Sequence, residues 1–169
     1  KSAFILSVII VVLTFIASAG GLFMADLYRD NLLVSAAWYG NDIITLLVAV
    51  PMFAGALVFS KRGSQRAMLV WMGMLFYTLY NYAFYLFGAA FNSFFLIYVA
   101  LFSFSALALI FGMTTLDVKS IEKLLHPGAT NKWVGGFMML VAILLGVFHI
   151  SLSLSYVFTG VVPDIIVNI

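Results

Sequence analysis

Apolar residues fall in five long blocks, at about 3–24, 43–60, 67–88, 93–113 and 133–158, separated by short clusters of charged and polar residues. At about 1.5 Å per residue, each block is long enough for the roughly 30 Å hydrocarbon core of a bilayer. The third and fourth belong to one stretch, Ala67 to Met113, in which only tyrosines can ionise. That stretch is about twice the length of one span, so it must fold back. Gly88-Ala89-Ala90-Phe91-Asn92-Ser93 is the corner that its composition offers. The pattern predicts an all-α fold: an integral membrane bundle of five transmembrane helices, with 1–169 forming a single helical membrane domain.

The segments between the blocks refine this picture. The first block starts at Lys1 and ends in Ala17-Ser18-Ala19-Gly20-Gly21. A basic start and a small-residue end also describe a cleavable signal peptide. The block is read here as a retained helix, with Ala17 and Gly21 as a close-packing pair. In the next segment, Asp26, Arg29 and Asp30 mix with Tyr28, Trp38 and Tyr39, which suits the bilayer interface. Asn31 is expected to cap a short surface helix near 31–38, and Asn41 or Asp42 to cap the following span. Pro51 is expected to kink that span, and Lys61-Arg62-Gly63-Ser64-Gln65-Arg66 to stop it. A second interfacial helix is expected near 117–125, where Val118, Ile121, Leu124 and Leu125 recur at helical spacing before His126-Pro127-Gly128.

Composition forces the membrane reading. The chain is 65% hydrophobic and 8% charged, whereas soluble domains carry roughly 25% charged residues. It has no cysteine, which excludes thiol redox chemistry, disulfides and cysteine-ligated metals. A net charge of +2 is too small for a nucleic-acid footprint. In a five-span topology Lys1, Lys61, Arg62, Arg66, Lys119, Lys123 and Lys132 fall on one side, and only Arg29 on the other. The positive-inside rule then makes the N-terminus cytoplasmic and the C-terminus external.

With that orientation, polar side chains concentrate in the outer halves of the spans. Tyr77, Asn81 and Tyr85 recur every four residues on one helix face, and His149, Ser153 and Tyr156 also share a face of the last block. Asp42 stands at the expected outer start of its span. Polar side chains in a membrane are costly unless partnered, and they face the bundle interior or a cavity. These seven residues are therefore the candidate ligand-binding set, lining an outward-facing polar-aromatic pocket for a lipid or other amphiphilic small molecule. The competing explanations are ordinary. Tyrosines near helix ends commonly form an interfacial belt, and Asn81 can simply bond a neighbouring helix. A lone membrane histidine is more often a satisfied bundle residue than a ligand, so no metal or cofactor is assigned. Asp42 with His149 is the only acid–base pair on offer. With no HExxH, GxSxG or paired intramembrane carboxylates, catalysis on lipids ranks last. A structural or accessory subunit, packing as a homo- or hetero-oligomer, is the rival to ligand binding.

The run Tyr80 to Tyr98 has the pattern YNYxFYxFGxxFNxxFLxY. It resembles an uncharacterised family of bacterial multi-pass membrane proteins. The resemblance implies a bacterial cytoplasmic (inner) membrane protein and no known activity. It also implies further helices beyond the position of Asp164, so that this chain is a piece of a longer protein.

Overall fold

A computed structural model describes residues 2–116 and 129–161, with backbone only for 129–131 and for His149. The described residues are all helix and connecting turns. The elements are α1 (Ser2–Phe23), α2 (Leu32–Ile44), a π-turn (Thr45–Ala49), α3 (Val50–Lys61), α4 (Gln65–Gly88), α5 (Phe95–Met113) and α6 (Ala129–Thr159). They belong to two units, Lys1–Asp117 and Val118–Ile169. Four helices are long and apolar enough to cross a membrane: Ser2–Phe23, Leu32–Lys61, Phe95–Met113 and Lys132–Thr159. α4, with 24 residues, is also long enough, but its tyrosines and Asn81 lower its hydropathy.

In the first unit α4 packs on α5 and α3, while α1 packs on α5 and on the α2–α3 helix. The result is a ring of antiparallel helices with α1 and α4 facing each other across its centre. α1 can enter this centre because its buried positions are spaced by threes and fours and all but Ile10 are small: Ala3, Ser7, Ile10, Thr14, Ala17, Ser18 and Gly21. The Trp71 indole N–H on α4 donates across the centre to Ser7 Oγ on α1, at 2.9 Å. Around it, Ile10, Phe53, Leu57, Met72, Leu75 and Ala108 form an apolar core.

The two ends of this unit are distinct. At one, Gly63 takes a positive φ of 87° that glycine adopts freely, and Ser64 caps α4. Lys61 Nζ there sits over the Phe4 ring at 5.2 Å, which places the start of α1 at the same end. At the other end Asp30 ties three segments together. Its Oδ1 accepts from Ala90 N, and its Oδ2 from Trp38 Nε1, both at 3.0 Å. Asn92 shapes the turn after α4 by accepting from Phe94 N at 2.9 Å.

The principal departure from expectation lies between residues 31 and 60. Asn31 does cap a helix, accepting from Val34 N at 2.9 Å. That helix does not end at 38 as a surface element. It runs on as one helix, Leu32–Lys61. Asn41 and Asp42 therefore lie inside it, because their side chains bond neighbouring helices rather than cap their own. Pro51 produces a π-turn rather than a simple kink. Proline lacks the N–H that would bond Leu47 O, and its ring crowds that carbonyl. The turn just before it widens, with Val50 N bonding Thr45 O five residues back. The interfacial helix expected near 117–125 lies outside the described residues.

Candidate functional site

α2 and α4 meet through rungs one helical turn apart. Thr45 Oγ1 and Tyr77 OH are 2.7 Å apart. One turn up, Asn41 Nδ2 donates to Asn81 Oδ1 and to Tyr85 OH, both at 2.9 Å. At the next level the Trp38 and Tyr85 rings lie 4.6 Å apart. The sums of paired residue numbers stay nearly constant, as antiparallel helices require. Both faces follow the same period of four, which is why the pairing repeats.

Asp42 stands beside this ladder and is 2% exposed. Tyr85 OH accepts from Asn41 and donates to Asp42 Oδ1 at 3.0 Å. Tyr28, arriving from the connection after α1, donates its hydroxyl to Asp42 Oδ2. Burial, reinforced by neighbouring Tyr85 and Asp42, holds the Tyr28 phenol far above its usual pKa of 10.0. The carboxylate lies directly against α1 at Gly21, where an added Cβ would overlap Asp42 Oδ2 and Tyr28 OH. Ser18 on α1 faces both Asp42 and Tyr82, and Thr14 faces Tyr82. Yet Thr14 Oγ1, Ser18 Oγ and Tyr82 OH have no partner in hydrogen-bond geometry, and neither do Tyr98 OH and Asn81 Nδ2.

Four of the seven expected residues, Asp42, Tyr77, Asn81 and Tyr85, are thus brought together in one unit. The cluster around Asp42 is closed to solvent, with Tyr82, Tyr85 and Tyr98 each at most 2% exposed. Open space begins lower down. A groove of about 450 Å³ runs between the π-turn region and α4, lined chiefly by Ile44, Val48, Met52, Val70, Gly73 and Tyr77. Its walls are apolar, and the Thr45–Tyr77 hydroxyl pair stands at its upper end. The remaining three expected residues are on α6, in the other unit. Ser153 and Tyr156 are exposed there, and the side chain of His149 lies outside the described residues. Among the described residues, no three His, Cys, Asp or Glu side chains converge.

The sequence reading missed Asn41 as the hub of the ladder, Tyr28 as a partner of Asp42, and the α1 hydroxyls. A signal existed for two of these. Asn41 and Thr45 repeat the spacing of Tyr77 and Asn81, and Ser7, Thr14, Ser18 and Gly21 mark one stripe of α1. Tyr28 comes from a non-helical connection, so no period identifies it.

No family model, curated protein or solved structure matches the chain.

Proposed function

We propose that this is a five-span protein of a bacterial inner membrane that binds a lipid or other amphiphile. The amino terminus would be cytoplasmic, since Lys61, Arg62 and Arg66 cluster at the end where α1 starts, and Arg29 belongs to the opposite end. One observation carries the binding assignment: the order of chemistry along the α2–α4 seam. The apolar groove ends at the Thr45–Tyr77 hydroxyls, and the Asn41–Asn81 rung follows one turn above. An amphiphile entering from the outer leaflet meets polar groups first and an apolar channel beneath. Ile44 to Met52 is eight residues, so the channel is about 12 Å deep. In this topology His149, Ser153 and Tyr156 belong to the outer half of the last span.

Gly73 provides the test. It lines the groove, and a Cβ there meets nothing within 4 Å. Gly73→Leu projects an apolar side chain into the channel from a Cβ that meets nothing, and gains helix propensity, under about 1 kcal/mol. Native mass spectrometry of the protein in mild detergent should show a co-purifying amphiphile in the wild type and its loss in Gly73→Leu. Identical adducts in both proteins refute the assignment. A changed oligomeric state in Asn81→Ala, with adducts intact, would instead favour the accessory-subunit reading.

A further inference from the structure

We propose that Asp42 anchors a buried site for a monovalent cation, sodium or a proton, walled by Ser18, Tyr28, Tyr82 and Tyr85. The inference does not depend on what fills the groove.

Charge is the first argument. Asp42 is 2% exposed, and no lysine, arginine or histidine faces it among the described residues. α1 presents Ser18, the connection presents Tyr28, α4 presents Tyr82 and Tyr85, and α5 presents Tyr98. The connection also carries Asp26, Arg29 and Asp30. Asp30 is held by Trp38 and Ala90. Two phenols donate to the carboxylate, yet none of its described neighbours supplies a positive charge. A buried ion without a counter-ion is among the costliest arrangements a membrane bundle can contain.

The second argument is the set of hydroxyls around the acid. Thr14 Oγ1, Ser18 Oγ, Tyr82 OH and Tyr98 OH are partnerless, on residues each at most 2% exposed. Buried polar atoms are satisfied in folded proteins, so orphaned oxygens point to a water or ion among them. Ser18 and Tyr82 stand on the Asp42 side of this group, on helices facing each other across the bundle centre. The donors are all oxygen. Hard oxygen ligands suit alkali or alkaline-earth ions rather than soft metals, and a single carboxylate balances a single positive charge. A proton neutralises the same carboxylate, and the carboxyl O–H it forms can then donate to an orphaned oxygen.

The test is the unfolding midpoint of the purified full chain in detergent, followed by tryptophan fluorescence. Trp38, whose ring lies 4.6 Å from that of Tyr85, places one reporter beside the site. Sodium, potassium and choline chlorides are compared at constant ionic strength between pH 5 and 9. If the site takes sodium, sodium raises the midpoint saturably over choline at pH 8, by at least ~2 °C. If it takes a proton, the folded state binds more protons than the unfolded chain, and the midpoint climbs as pH falls from 8 to 5 in every salt. Either response must vanish in Asp42→Asn. Tyr82→Phe deletes an unpartnered hydroxyl, so it should fold even where Asp42→Asn does not, and it should blunt the response several-fold. A wild-type midpoint indifferent to both cation and pH means that only water occupies the site, and overturns the proposal. So does a response that survives in both variants.

Discussion

Gly21→Ala isolates the close approach on which the polar cluster depends. The added methyl would overlap Asp42 Oδ2 and Tyr28 OH and sit 2.8 Å from Asp42 Cγ. The carboxylate cannot swing aside, because Tyr28 and Tyr85 hold its two oxygens from different directions. Either α1 moves outward or the Tyr28 bond breaks. A hydrogen bond to a charged group is worth about 1.5–3 kcal/mol, and overpacking costs about 1–3 kcal/mol. Against this, alanine gains about 1 kcal/mol over glycine in a helix. Whichever response occurs, the net loss should be about 0.5–2 kcal/mol. Gly40→Ala is the matched control, since Gly40 is in α2 with nothing within 4 Å of its Cβ. It should be neutral or stabilising by up to about 1 kcal/mol. Reversible unfolding in mixed micelles, titrated with a denaturing detergent and read by fluorescence, measures both. If the two variants differ by less than about 1 kcal/mol, Asp42 does not rest on α1 as described.

Two further predictions concern the same unit. Asn41→Ala leaves Asn81 Oδ1 buried without its donor, so it should cost about 1–3 kcal/mol. A double-mutant cycle with Asn81→Ala should return a coupling of about 0.5–1.5 kcal/mol, and a coupling of zero would dissolve the rung. Tyr28 supplies a pH prediction. Its folded pKa is raised above the unfolded value of 10.0, chiefly by burial. Above pH 10 the unfolded chain releases that phenolic proton and the folded chain keeps it, so stability should fall as pH rises. Tyrosinate absorbance in Tyr28→Phe, compared with the wild type, checks this. A Tyr28 signal emerging near pH 10 in the folded protein contradicts its burial.

Outside residues 31–60 the helices and their ends were legible because membranes impose length and hydropathy on each element separately. The corner at Gly88–Ser93 and the basic turn at Lys61–Arg66 could be placed from composition alone. The shared face of Tyr77, Asn81 and Tyr85 was legible for a similar reason, since helical period is a local property. What was illegible depends on neighbours. Gly40-Asn41-Asp42 has the composition of a helix start, and only partners on other elements turn it into helix interior. Asn81 Oδ1, Tyr85 and Tyr28 supply those partners, from segments some 40 residues ahead and 14 behind. Among the described residues Tyr28, Tyr82, Tyr85 and Tyr98 of the first unit meet each other rather than line an open groove. Aromatic rings from α4, α5 and the connection lie 5.1–6.2 Å apart, centroid to centroid, and close this level of the unit to solvent.

The π-turn connects this upper cluster to the core below it. Asn41, Thr45, Ala49, Phe53 and Leu57 form a row with a spacing of four, and all but Asn41 are buried. In an uninterrupted α-helix such a row advances about 400° per step, so it drifts about 40° each time and about 160° over four steps. Phe53 and Leu57 would then leave the face that Asn41 presents to α4. A wider turn between 45 and 49 removes part of that drift and keeps the row on one side. Pro51 makes the wider turn favourable by refusing the bond to Leu47 that a regular helix would require. One proline thus lets a single helix offer amide and hydroxyl groups to its neighbours above and a ring and aliphatic groups below. The boundary between the two is the level at which the groove begins.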